Sequence, residues 1–277
     1  MDWIQTLVMA IVQGIAEFLP ISSSGHLCVI YDIFNQLGVE FESSSLTLNI
    51  ALHFGTLISI FVVFWKRIWL LLTSDRRVIP LLIVATIPAV LAVVGMKILD
   101  DGEKTLEKMI LENSLVAGFC FPITGLILLC FSNRSGETVC RELSWTKTAI
   151  IGLVQVVAIL PGISRSGSTI CAGLFCGLKR DEAATFSFLM AIPAIGGGTL
   201  LEILKLIKQQ GTDSPEVISG HGMILLFLGV IISCGVGILT LKLLIRWLHE
   251  GKLKYFAYWL FLISPVVIIW RLFSVLM

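Results

Sequence analysis

The stretch Gln13-Gly-Ile-Ala-Glu-Phe-Leu-Pro-Ile-Ser-Ser-Ser-Gly-His26 lies inside an otherwise oily N-terminus. It carries a carboxylate, three consecutive hydroxyls, the helix-breaking Pro20, the flexible Gly25 and an imidazole. Burying such groups in lipid without partners costs on the order of several kcal/mol each. The stretch therefore predicts a polar site whose partners come from elsewhere in the chain. Residues 3–18 before the break are apolar but too short to span comfortably, since about 20 residues are needed. A second short apolar piece, 27–34, follows. Two short helices around a polar loop predict a re-entrant hairpin, tolerated at membrane depth only where protein buries it.

Of the 277 residues, 56% are hydrophobic and only 14% charged, with a mean hydropathy of +0.95. Soluble domains average about 25% charged residues, so the composition predicts an integral membrane protein. A net charge of +1 excludes a nucleic-acid partner held by a strong basic field. Cys28, Cys120, Cys130, Cys140, Cys171, Cys176 and Cys234 lie mostly in apolar runs without metal-type pairing. They read as small buried hydrophobes. Asp2 is the only early charge, which argues against a cleaved signal peptide.

Further along, spans are expected at 46–65, 78–99 and 110–131, separated by a basic loop with Lys66, Arg67, Arg76 and Arg77 and by a charged segment at 100–109. An acidic polar segment with Glu40 and Glu42 precedes the first of them. The opening pattern then returns. Residues 145–160 form a short apolar piece, Leu160-Pro-Gly-Ile-Ser-Arg-Ser-Gly-Ser-Thr169 a polar loop, and a second short piece runs to 177. Three more spans follow at 183–204, 222–247 and 256–273, with Trp247, Tyr255, Tyr258, Trp259 and Trp270 near their ends as interface anchors.

Sliding the sequence by 142 residues superposes Trp3 on Trp145, Thr6 on Thr148, Gln13 on Gln155, Ser22 on Ser164, Ser24 on Ser166 and Gly25 on Gly167, within nine ungapped identities over 23 positions. The fold class expected is all-α integral membrane, a single domain of two halves, 1–142 and 143–277. Each half holds one re-entrant hairpin and three spans. Three is odd, so the halves enter from opposite faces and their hairpins meet near the midplane, an inverted-topology repeat. Of the expected loop and loop-flanking charges, six basic residues (Lys97, Lys104, Lys108, Lys205, Lys208 and Arg271) fall on the N-terminal face and twelve on the other. The positive-inside rule then turns both termini outward.

Arg165 lies away from the water-facing loops, flanked by Ser164, Ser166, Ser168 and Thr169. A guanidinium beside hydroxyls and backbone N–H groups at a helix start is a phosphate cradle; the plainer alternative is an ion pair with Glu17 that merely joins the hairpins. Glu17 lies four residues after Gln13 on the same helix face, and an acid there holds a divalent cation or moves a proton. His26 is a general acid/base or a nucleophile toward phosphorus. Ser22, Ser23 and Ser24 are donors or nucleophiles, though serine at a helix start is most often a cap. His53, sharing a face with Asn49, either lines the site or bonds a neighbouring helix. His221 and His249 read as solvated.

The two polar stretches resemble the signature motifs of the undecaprenyl-diphosphate phosphatase family, also called bacitracin-resistance proteins. The first matches at Gln13, Glu17, Leu19, Pro20, Ser22, Ser23, Gly25 and His26; the second at Pro161, Gly162, Ser164, Arg165, Ser166, Gly167 and Thr169. The likeness runs through Leu52-His-Phe-Gly-Thr56 and Phe186-Ser-Phe-Leu189. The resemblance implies hydrolysis of a C55 polyprenyl diphosphate to the monophosphate, recycling the carrier lipid for peptidoglycan at the outer face of the bacterial inner membrane, with bacitracin competing for the substrate. It implies a divalent cation, Mg2+ or Ca2+, with Glu17 and Gln13 as its protein oxygens. The phosphates would be held by Ser22, Ser24, Ser164, Arg165, Ser166, Gly167 and Thr169. Ser23 or His26 would attack phosphorus, with a slight preference for Ser23 activated by His26. Position 13, Glu in many members, is Gln here and cannot act as base. A homodimer is compatible with this reading. The rival from another class is a polyprenyl-phosphate flippase, because inverted repeats with broken helices are a transporter layout.

Overall fold

A computed structural model describes residues 3–38, 44–99, 107–209 and 220–276; Asp2, Glu40, Glu42, Lys104 and most of the charged segment at 100–109 lie outside them. Among the described residues the chain is all-helical. It runs α1 (Trp3–Ala16), α2 (Ser23–Gln36), α3 (Ser44–Val63), α4 (Trp65–Thr73), α5 (Val78–Leu99), α6 (Ser114–Phe131), α7 (Trp145–Val157), α8 (Arg165–Phe175), α9 (Arg180–Gln209), α10 (Gly220–His249) and α11 (Leu253–Leu276). The helices α5, α6, α9, α10 and α11 are long and apolar enough to cross a membrane, and α3 with α4 meets the same standard only when the bent pair is taken together. The helices α1 and α7 are apolar but short.

Three departures from the sequence reading have local causes. The first span bends by 70° at Phe64, so Lys66 and Arg67 ride on α4 instead of in a loop. Continuing straight would have carried both cations along the bilayer axis; turned, Arg67 reaches Asp75 at 2.8 Å. The third span begins at Ser114, because the Asn113 side chain accepts from Leu115 N at 2.9 Å and caps a fresh helix there. Arg165 is the first residue of α8, with Ser164 as its cap, and not part of a loop. Neither distal histidine is merely solvated: His221 packs edge-on to Trp3, and His249 sits 2.8 Å from Asp181.

The two halves of the chain interlock. The helix α10 packs along α1 and α3, while α5 packs along α7 and α9, and α6 runs against α11. Apolar contact drives little association between helices in lipid, so close backbone approach and interhelical hydrogen bonds matter. A Cβ on Gly55 of α3 would stand 2.6 Å from Val230 O of α10, and one on Gly152 of α7 2.6 Å from Ala85 O of α5. Ser59 donates to Cys234 O at 2.9 Å, and Ser264 to Gly118 O at 2.8 Å. Inside this frame Phe18, Phe64 and Phe188 pack ring to ring beneath the tip of the first hairpin.

Candidate active site

Pro20 and Pro161 end the short helices α1 and α7 before a turn, and serine caps start the next helices. Ser22 Oγ accepts from Gly25 N at 3.3 Å, and Ser164 Oγ accepts from Gly167 N at 3.1 Å. The hydroxyls pair alike, Ser22 with Ser24 at 3.3 Å and Ser164 with Ser166 at 3.2 Å. The tips then touch. A Cβ on Gly25 would lie 2.8 Å from Gly162 N, and one on Gly167 2.9 Å from Pro20 Cβ. The irregular backbone of the second tip is satisfied from outside. Gly162 N donates to Ser22 Oγ (3.0 Å), while Thr124 on α6 donates to Gly162 O (2.8 Å) and accepts from Ser164 N (3.1 Å). This answers the demand that buried polar backbone find partners. Ser22 itself is held at φ 72°, a left-handed conformation that serine rarely adopts and that clusters at functional sites.

At this junction sits the buried Glu17. Its Oε1 accepts from Arg165 Nη2 at 2.6 Å, and its Oε2 accepts from Ser23 Oγ at 2.7 Å and from Gln13 Nε2 at 3.1 Å. His53 Nε2 stands 4.0 Å from the same Oε2, and its Nδ1 donates to Asn49 O at 2.9 Å. His53 therefore borders the site, and its hydrogen bond to Asn49 stays within α3 instead of reaching a neighbouring helix. A polar cavity of about 40 Å³ is lined by Glu17, Ser22, Ser23, Ser24, Ser164, Arg165 and Ser166, together with Ala16, Ala158 and Ile163. Gln13 Oε1, Arg165 Nη1 and Ser168 Oγ are buried without a hydrogen-bond partner.

His26 takes a different place from the one expected. Its Nδ1 donates to Ser22 O at 2.9 Å, and its Nε2 accepts from Trp259 Nε1 at 3.1 Å. Both ring nitrogens are occupied, so the group beside Ser23 is Glu17. The ring lies between Trp259, near-parallel at 6.3 Å, and Phe121 at 5.0 Å. Trp259 thus holds a site residue as well as lying near a span end. Thr169 turns away from the cavity, donating to Arg165 O at 2.8 Å and pairing with Ser187 Oγ at 2.6 Å. The Gly167 amide is used by its cap.

A larger apolar groove of about 400 Å³ opens between α5, α7 and α9. Its walls include Ala89, Val90, Val93, Val94, Ala158, Ile159, Pro193, Ala194, Gly197, Gly198, Leu200 and Leu201, and its polar residues are Thr86, Gln155 and Arg165. Arg165 is shared between the groove and the small polar cavity. Sequence reasoning missed Thr124, Trp259 and the placing of Gln155. Only Gln155 carried a signal, as the repeat partner of Gln13.

A multi-pass helical membrane protein whose buried Glu–Arg pair orients a serine, with an apolar groove running to that pair, is built for a lipid bearing an anionic head. Residues 6–266 match the family described as Bacitracin resistance protein BacA, and the chain belongs to that family. It is 47% identical over 261 residues to an undecaprenyl-diphosphatase of Rhodopirellula baltica, across 93% of this chain and 94% of that one. It is 37% identical over 275 residues to one of Treponema denticola, across 94% of each. It is 34% identical over 263 residues to one of Thermodesulfovibrio yellowstonii, across 95% of each.

Proposed function

We infer that this chain is an undecaprenyl-diphosphatase, a membrane hydrolase that converts the polyprenyl diphosphate to its monophosphate and phosphate, in a family tied to bacitracin resistance. The observation that carries the chemistry is the Glu17 carboxylate, held by Arg165 on one oxygen and by Ser23 on the other. Ser23 Oγ attacks the terminal phosphorus while its proton passes to Glu17. The bond from phosphorus to the bridging oxygen breaks, and the departing lipid monophosphate takes that proton. Water then attacks the phosphoseryl group, and one of its protons passes through Glu17 to Ser23 Oγ as the Oγ–P bond breaks. Arg165 neutralises the phosphoryl oxygens, which is where most of the stabilisation in phosphoryl transfer arises. His26, with both nitrogens bonded, orders the Ser22–Ser24 turn.

The donor set suits a cation that arrives with its substrate. Among the described residues no three His, Cys, Asp or Glu side chains gather, but Mg2+ needs only one or two protein oxygens beside substrate phosphates. The unpartnered Gln13 Oε1 and the Glu17 carboxylate would hold it. When bound it would neutralise diphosphate charge. The apolar groove takes the prenyl chain.

The matching caps and hydroxyl pairs of the two tips, and their reciprocal contacts at Gly25–Gly162 and Gly167–Pro20, support the inverted repeat of halves 1–142 and 143–277 within one membrane domain. With the excess of basic residues placed in the cytoplasm, both termini face outward from the inner membrane. The later halves of α5 and α9, which wall the groove, then run toward the periplasmic side.

Protein purified in detergent micelles has no sides, so transport and hydrolysis separate there. Phosphate release from undecaprenyl diphosphate with Mg2+, abolished by EDTA, is the expected result. Retained lipid binding without release would overturn it in favour of the flippase, which no observation so far supports.

A further inference from the structure

Gln155 is 3% exposed, and both Nε2 and Oε1 of its amide are without a hydrogen-bond partner. A buried amide with neither end satisfied is costly, and such groups call for an explanation. It lines the apolar groove, where the other polar groups are Thr86 and Arg165. Thr86 Oγ1 is spent on Leu82 O at 2.8 Å. Arg165 Nη2 is spent on Glu17, while Arg165 Nη1 is buried and free. Two residues that line an otherwise hydrocarbon-walled groove thus carry an uncommitted, buried guanidinium N–H and an uncommitted, buried amide.

The shape of the ligand assigns them. A prenyl diphosphate has an apolar tail, a phosphate bonded to the tail and a terminal phosphate. The terminal phosphorus must reach Ser23 in the small polar cavity, and the tail fits the groove. The middle phosphate then falls where the two spaces share a wall, at Arg165. We propose that Gln155 and Arg165 Nη1 form the seat of the phosphate that stays on the lipid, so that Gln155 sets affinity for both the lipid diphosphate and the product monophosphate. This rests on the diphosphatase reading above. The amide Nε2–H donates to an oxygen of that phosphate in both ligands, and in the product monophosphate Oε1 also accepts from the hydroxyl of the singly protonated form.

Gln155→Met tests it, because methionine has nearly the same length and no polar atom. Removing an unsatisfied buried amide leaves the fold as stable or more so, so the variant is expected to melt at or above the wild-type temperature. Losing a hydrogen bond to a charged group is worth about 10- to 100-fold in affinity. The KM for undecaprenyl diphosphate and the inhibition constant for farnesyl monophosphate should both rise by about tenfold or more. The inhibition constant for inorganic phosphate, which occupies the terminal position, should move less than threefold. Should Gln155→Met fail to purify, Gln155→Asn, which keeps the amide on a shorter stem, is read in the same assay with a smaller rise expected. An unchanged farnesyl monophosphate constant, or equal loss for both inhibitors, would overturn the seat while leaving the diphosphatase reading intact. Absence of phosphate release by the wild type would instead overturn that reading.

Discussion

Glu17 Oε1 and Arg165 Nη2 meet at 2.6 Å from positions 148 residues apart, each on the tip of a different hairpin. The pair is largely buried, so removing one partner leaves an uncompensated charge, at a cost of about 3–5 kcal/mol. Arg165 also keeps Nη1 free. A lysine ammonium is a point charge on a flexible stem and cannot hold the carboxylate and a phosphate together in a fixed fork. Arg165→Lys is therefore expected to retain most of the thermal stability yet lose about 100-fold or more in kcat/KM, measured as phosphate release in micelles. Near wild-type turnover would reduce Arg165 to a structural clamp between the hairpins.

Ser23 donates to the Glu17 oxygen at 2.7 Å, whereas His26 has both nitrogens engaged elsewhere. Removing a nucleophile typically costs several orders of magnitude in turnover. Ser23→Ala should lower kcat by about 1000-fold or more with little change in melting temperature, since the carboxylate keeps Arg165 and Gln13. Rapid quenching of the wild type with labelled substrate should trap label on Ser23. Label on His26 would reverse the two roles.

Trp259 gives a third test. Trp259→Phe keeps the ring against His26 but deletes the N–H bonded to Nε2 at 3.1 Å. A net hydrogen bond is worth about 1 kcal/mol, so kcat/KM should fall about five- to tenfold. A double-mutant cycle with His26→Ala locates the effect. If Trp259 works through His26, its substitution costs almost nothing in the His26→Ala background, whereas an independent packing role leaves the cost unchanged.

How far the site could be read from the chain depends on whether partners were marked by the sequence. Gln13, Glu17, Ser23 and Arg165 stand out because each is polar in an apolar setting, and the 142-residue shift aligns the two segments that carry them. The helical hairpins followed from length and from Pro20 and Pro161. The bend at Phe64 did not, since Val63-Phe64-Trp65 contains no helix breaker. It arises where the apolar run meets Lys66 and Arg67. Trp259 and Thr124 were invisible for another reason. Tryptophan at a span end and threonine inside one are ordinary in membrane helices, and their bonds to His26 and Gly162 come only from helix packing. Gln155 lay in view as a repeat partner, but only the groove shows that its amide is unpaired.

The groove itself can be tested through Gly197 and Gly198 on α9, where an added Cβ would meet nothing within 4 Å. Side chains there are accommodated without moving the backbone, and replacing a helix-interior glycine with a better helix former contributes about 0.5–1 kcal/mol. Gly198→Leu should therefore melt no lower than wild type. Gly198 lines the space assigned to the prenyl chain together with Val94 and Leu201, so a leucine there would take up part of it. Phosphate release from undecaprenyl diphosphate should fall about tenfold in kcat/KM, through KM. Release from a diphosphate with a tail too short to reach that part of the groove, such as isopentenyl diphosphate, should hardly change. An equal loss on both substrates would place the damage at the phosphates, and no loss on either would mean that the chain leaves the site by another route.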